Sequence, residues 1–216
     1  MPTPEPIARR TGGYTSLFTL PAAEQLHAFA HMDGLYPTRV VQRGERVREL
    51  ASGPALEFET VADDENHSID GFMQRCRCTG LLILKRGQVV CERYALGHSA
   101  DTRWISFSMA KSITSVLVGA AVHDGAIASL DDPVTQTVPQ LRGSTYDGVT
   151  VRQVLQMSFG RHVFGALGIF GQQIYVNVDE QLVIALHSAW PEPVHQPSRL
   201  ESHAFFTAAA QALRGG

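Results

Sequence analysis

The stretch Trp104-Ile105-Ser106-Phe107-Ser108-Met109-Ala110-Lys111, with the apolar run that follows it to about His123, decides the reading of this chain. Ser108 and Lys111 stand three residues apart. On a helix opening at Ser108 their side chains share one face, one turn apart, so an ammonium group reaches a serine hydroxyl. Ile113 to Val122 is apolar nearly all the way round, which predicts a buried helix. Lys111 is then expected to enter the interior, where a charge is costly. Burial lowers a lysine's pKa, and a neutral amine can take the proton of a hydroxyl. A serine nucleophile is activated that way without a histidine. The plain alternative is that Ser108 only caps the helix while Lys111 snorkels to the surface. Ser-x-x-Lys alone is a weak pattern. What raises it is the scarcity of lysine: Lys85 and Lys111 are the only two among 18 Lys+Arg.

Working outward, the 216 residues can bury a substantial core, as one domain or a domain with an extension. A hydrophobic content of 44% with 18% charged residues marks a globular chain rather than a disordered one. The net charge of −3 offers no basic field for nucleic acid. Cys76, Cys78 and Cys91 are an odd set without metal-ligand spacing, and no metal or cofactor is expected. A reducing compartment fits them best. The first thirty residues lack the apolar core of a signal peptide, and no run approaches membrane-spanning length. The expectation is a cytoplasmic protein without membrane or nucleic-acid partners.

The N-terminal 66 residues read as an extension wrapped on a core domain of residues 67–216. Ala22 to Met32 suggests one short helix, and Arg39 to Glu49 a solvated edge or loop. Asp63-Asp64-Glu65-Asn66 is a polar break, after which Ser68 or Asp70 caps a helix through Arg75. Gly80–Leu84 and Val89–Tyr94 form a hairpin about the turn Lys85-Arg86-Gly87-Gln88, which gives Lys85 an exposed home. Gly125 suits a left-handed cap after the central helix. Pro133 suits the first position of a short helical turn, and Thr150 caps a helix from Val151 to Met157. Beyond Ser158-Phe159-Gly160, the segments Ile174–Val178 and Leu182–Leu186 read as strands joined at Asp179-Glu180. A last helix opens at Ser202 or His203 and ends at Leu213. Strands near both ends with helices between them predict an α/β fold. Its antiparallel sheet is built from N- and C-terminal strands and flanked by helices.

Several segments together resemble the β-lactamase-like serine hydrolases, the superfamily of class C β-lactamases, penicillin-binding proteins and family VIII esterases. The likeness is greatest to its nylon-oligomer (6-aminohexanoate-dimer) hydrolase branch. The segments are Phe29-Ala30-His31-Met32, the hairpin Gly80 to Gly97, Ser106 to Ser112, Gly143 to Gly148, Val151 to Met157, Gly168 to Gln172 and Ser188-Ala189-Trp190-Pro191. The resemblance implies that Ser108 attacks the carbonyl of a small amide or ester and that Lys111 helps deprotonate it. An acyl-enzyme then forms and is hydrolysed by water. Two backbone N–H groups hold the oxyanion, one from Ser108 and one from the Gly168–Gly171 stretch, with Ile169 the expected donor. Superfamily members also carry a long helical region with a Tyr-x-Asn or Ser-x-Asn motif between the Val-Leu-Gln-Met helix and the terminal strands. Here terminal-strand sequence follows Gly160 almost at once, so the all-helical lobe is reduced or deleted and the general-base tyrosine is unknown. Tyr175-Val176-Asn177 spells the motif but falls in the terminal hairpin, and Tyr146 sits in a loop. His162 and His187 lack an identifiable carboxylate partner, so no Ser-His-Asp triad is expected. Ser106 is expected to support the backbone.

Two functions follow. One is a weak serine hydrolase. The other is an inactive remnant that binds or self-associates through the face left by the lobe, around Thr114, Val118 and Gly119.

Overall fold

A computed structural model describes residues 14–42, 44–56, 68–155 and 163–214. The polar break at Asp63–Asn66, the helix end at Gln156 and Met157, the Ser158-Phe159-Gly160 junction and His162 lie outside the described residues. The helices are α1 (Ala22–Ala30), α2 (Met32–Leu35), α3 (Ile69–Arg75), α4 (Met109–His123), α5 (Val134–Thr137), α6 (Val151–Leu155) and α7 (Gln196–Ala212). The strands are β1 (Cys78–Lys85), β2 (Gln88–Tyr94), β3 (Val163–Gly168), β4 (Gln172–Asn177) and β5 (Leu182–Ser188). They form one sheet in the order β2-β1-β5-β4-β3, antiparallel at every pairing. The expected sheet from the two ends of the chain is thus the observed one, with β1 beside β5.

Local chemistry explains most element ends. Arg86 and Gly87 both have positive φ, 51° and 77°, so the two-residue loop closes the first hairpin with the twist its strands require. The Ser68 hydroxyl accepts from Gly71 N–H and caps α3. Thr150 and Gln153 cap α6 reciprocally: Gln153 N–H donates to Thr150 Oγ1 and Thr150 N–H to Gln153 Oε1. At the end of α4, Gly125 N–H donates to Val122 O and Ala126 N–H to Ala121 O. This left-handed stop has Gly125 at φ 77°.

The sheet packs against helices and a second cluster lies beyond its strand ends. On one face, alternate residues Leu81 and Ile83 of β1 and Leu182, Ile184 and Leu186 of β5 meet α3 and α7, where the Phe72 and Phe205 rings stack at 4.0 Å. A smaller cluster holds Leu17, Leu20, Ala28, Phe29, Phe170 and Ala189.

Five expectations need correction. Helix α4 is not buried: Met109 alone of its residues is covered, and Ile113, Val116 and Leu117 are 59–69% exposed. The helix packs against β3 and β4, and no described element covers its outer side. Lys85 is not at an exposed turn. Its ammonium donates to Glu180 O at 2.8 Å and lies 3.7 Å from the Glu180 carboxylate, which ties the first hairpin to the β4–β5 turn. The last helix begins at Gln196, not Ser202, because His195 Nδ1 accepts from Ser198 N–H and caps it six residues earlier. Pro133 is the residue before α5 rather than its first, and α1 stops at Ala30, where His31 turns the chain into α2.

Candidate active site

The Ser108 turn is held from three sides. Ile105 N–H donates to Phe29 O, so α1 clamps the approach. Gly168, the last residue of β3, lies against Ser106 and Phe107. A Cβ there would stand 2.8 Å from Ser106 O and 3.2 Å from Phe107 Cβ. The Phe29 ring, fully buried, contacts both Phe107 and Phe170, with centroids 5.2 and 5.1 Å away. Phe107 and Phe170 both have positive φ, 45° and 58°. Phenylalanine adopts that conformation at a cost of about 1–3 kcal/mol, and such strain collects at functional sites. One aromatic cluster therefore fixes two strained turns: the turn that presents Ser108 and the Ile169–Gly171 turn that carries the expected oxyanion donor.

A second brace is polar. Gln172, fully buried, accepts from Trp104 Nε1 at 2.8 Å and Ser188 N–H at 3.3 Å through Oε1. Its Nε2 donates to Ser188 O and Phe170 O. The side chain so joins the segment before Ser108 to β5 and the oxyanion turn. Gly171 could be no other residue, since its φ is 84° and an added Cβ would meet the Trp190 indole at 2.3 Å. The sequence offered one signal for Gln172: a polar pair, Gln172-Gln173, heading an apolar strand. For Phe29 and Trp104 the signal was their place in the resembling segments, with nothing to give their role.

Ser108 flanks α4 without capping it, leaving its hydroxyl available. Lys111 Nζ donates to Ser108 Oγ at 3.4 Å. The one-turn spacing thus brings the pair together, while the burial expected of Lys111 is absent and its side chain is exposed. Beside Ser108 an open cleft of about 210 Å³ is lined by Gly168, Ile169, Gln173, Trp190 and Arg199. Ser108 and Ile169 share this wall.

The other candidates fall elsewhere. Tyr175 packs on Phe206, its centroid 5.4 Å away, and its hydroxyl accepts from Asn177 Nδ2, so the Tyr-x-Asn triplet is part of the sheet. Tyr146 lies half exposed in the Gly143–Gly148 loop, where its N–H donates to Ser144 Oγ. His187 lies beside Trp104, with His98 on the indole edge. Burial, then the neighbouring His98, lowers the His187 pKa, and burial lowers that of His98. Burial drives the Cys76 thiol up to about 12 and raises those of Cys78 and Cys91. Among the described residues no cluster of His, Cys, Asp or Glu could hold a metal ion, and no helix is long and apolar enough to cross a membrane.

The fold agrees with the comparisons to known proteins. Residues 66–164 match the family model described as Beta-lactamase. Over that stretch the chain is similar to that family. It is homologous to 6-aminohexanoate-dimer hydrolase from Paenarthrobacter ureafaciens, at 35% identity over 133 residues, 60% of this chain and 32% of that protein. Among solved structures, a Bacillus anthracis protein provisionally named 6-aminohexanoate-dimer hydrolase aligns with a TM-score of 0.52. The alignment covers 61% of this chain and 35% of that one; at 16% identity, it shows the fold alone. The chain spans about a third of the length of these relatives.

Proposed function

We propose that the protein is a weak serine hydrolase acting on small amides or esters. The observation that carries this reading is the Ser108 hydroxyl within hydrogen-bond reach of Lys111 on the wall of a cleft shared with Ile169. Ser108 Oγ attacks the carbonyl carbon while its proton passes to the Lys111 amine. The backbone N–H groups of Ser108 and Ile169 hold the oxyanion as the tetrahedral intermediate forms. Collapse expels the alcohol or amine with a proton and leaves an ester on Ser108, and water then releases the carboxylic acid and restores the hydroxyl.

Weak turnover follows from what accompanies Ser108. General acid–base assistance contributes ~10²–10⁴-fold, and the described residues hold no second proton-transfer group against the Ser108–Lys111 pair. Lys111 is itself in water, and the site has an open wall. Amides, whose leaving groups must be protonated, suffer more than activated esters. The expected result is Ser108-dependent hydrolysis of p-nitrophenyl esters and none of linear amide dimers or β-lactams. A fluorophosphonate should label Ser108 and leave Ser108→Ala unlabelled; a label mapped to another serine refutes the assignment.

A second reading is favoured by the exposure of Ile113, Val116 and Leu117 along α4. In it the chain is a non-catalytic remnant that associates with a second copy through that face. Failure of every acyl probe at Ser108, together with a dimer in sedimentation, would select it.

A further inference from the structure

We infer that His98 and His187, which flank the Trp104 indole, form an acid-sensitive latch on the Ile169–Gly171 turn: protonating both rings frees the indole from Gln172 and loosens the turn. The inference goes beyond the proposed hydrolase to its regulation, and it rests on that reading only for the turn's role as oxyanion donor. His98 meets the indole edge to face, with centroids 4.8 Å apart, and His187 lies nearly parallel to it, 6.4 Å away and inclined by 20°. Both imidazoles are half-buried. Two more stand at the end of α1, where the His27 and His31 rings stack at 4.3 Å. Burial, then the charge of His98, lowers the His187 pKa; burial, then the charge of His31, lowers that of His98. No carboxylate is among those influences. The charged groups of the surrounding elements are engaged with other partners. Tyr94, whose ring lies beside Gly80 opposite His187, donates its hydroxyl to Glu92 and feels Asp101. Arg103 pairs with Asp33, and the Arg77 guanidinium donates to Ala22 O and Ala189 O.

One buried amide carries the position of the indole into the turn. Trp104 Nε1–H donates to Gln172 Oε1 at 2.8 Å, and Gln172 Nε2 donates to Phe170 O at 3.1 Å and to Ser188 O at 2.6 Å. Ser188 follows His187 on β5, so both ends of the link meet at the same strand. A charged imidazole needs water or a partner charge, and none of the acids named above supplies the charge. His187 gains that water as the indole beside it moves off, and two cationic rings on one indole repel each other. Once the indole leaves, Gln172 Oε1 keeps only the 3.3 Å bond from Ser188 N–H. The amide that holds Phe170, at φ 58°, then loses its outer anchor. The closed latch binds protons less readily than the open one, so falling pH favours opening. With two protons taken up on opening, the ratio of closed to open forms falls by up to about 100-fold per pH unit.

The test follows ¹⁵N-labelled protein by NMR from pH 8 to pH 5, with circular dichroism recorded alongside. Trp104→Phe assigns the Trp104 indole N–H, since the chain has only two tryptophans. In the parent that signal and the backbone amides of Ile169 to Gly171 should shift together, with a steepness above one proton, while the helical signal stays constant. In the double variant His98→Gln/His187→Gln, which keeps polarity and cannot take up protons there, both should be flat. Fluorophosphonate labelling of Ser108 gives the second readout. The rate of the parent divided by that of the double variant cancels the titration of Lys111, and it should fall at least about 10-fold from its pH 8 value by pH 5. Turn amides that stay still while the indole signal moves overturn the inference, as do shifts that persist in the double variant or that coincide with loss of helical signal. If the double variant does not fold, His98→Gln alone should reduce the steepness to one proton, and an unreduced steepness overturns the inference. Failure of Ser108 labelling at every pH would refute the hydrolase reading, while the amide titration would still decide whether the latch exists.

Discussion

Gly168→Ala tests whether the strained Ser108 turn and the oxyanion turn act as one unit. Gly168 has φ −120°, which alanine adopts freely, so the substitution acts through space alone. The new methyl would stand 2.8 Å from Ser106 O, 2.9 Å from Gln172 Cβ and 3.2 Å from Phe107 Cβ. Neither backbone carbonyl nor strand can swing away as a flexible side chain could. The Ser106–Phe107 turn must retreat by several tenths of an ångström or more, and overpacking of this kind costs about 1–3 kcal/mol. For a chain of this length each kcal/mol lowers Tm by roughly 2–4 °C, so a fall of about 2–12 °C is expected. The effect on chemistry should be larger than the effect on folding. A nucleophile displaced by about 1 Å can lose ~10²-fold in rate. The assay pairs thermal unfolding with the pseudo-first-order rate of fluorophosphonate labelling at a temperature where the variant remains folded. Parental labelling by a destabilised but folded variant would refute the idea that the β3 end positions Ser108.

Lys111→Arg keeps the charge but offers no removable proton, so Ser108 labelling should fall at least ~10²-fold; an unchanged rate would make Lys111 structural. The three buried thiols should resist alkylation in native protein at pH 8 and react together on unfolding, as a mass shift would report. Their native pKa values are raised, so the unfolded chain loses protons first: their stabilising contribution is complete below about pH 9 and declines as pH rises towards 12. His187 and His98 are shifted the other way, downward by burial. Their contribution is complete above about pH 6.5 and lost as pH falls through the native values, and His187→Gln should flatten that acid limb in denaturant melts.

Sequence periodicity and turn chemistry gave four of the five strands, their grouping and several caps, because those signals are local: Gly87 in its turn, Ser68 before Gly71, Thr150 before Gln153; β3, rich in glycine, carried no such signal. The Ser108–Lys111 pairing was legible for the same reason, since one turn of helix brings the two together wherever the helix lies. Burial was not legible. The apolar run Ile113–Val122 states what the helix can bury and says nothing about whether a covering layer is present. That error carried over to Lys111. The supports of the site were hidden for a related reason. Gln172 is joined to Trp104 and Ser188 across 68 and 16 positions.

The pairing of β1 with β5 has a consequence for synthesis. The first hairpin is complete at Tyr94, but the strand that must lie beside β1 does not begin until Leu182. Roughly 90 residues separate them, which a ribosome adds in roughly 5–20 s. Throughout that interval the nascent chain has only α3 to cover Leu81 and Ile83, with a row of β1 amides open to any passing strand. Closure is then a single long-range event in which β5 must displace whatever has docked there first. Yield of native protein should therefore depend more on temperature and expression rate than its final packing would suggest.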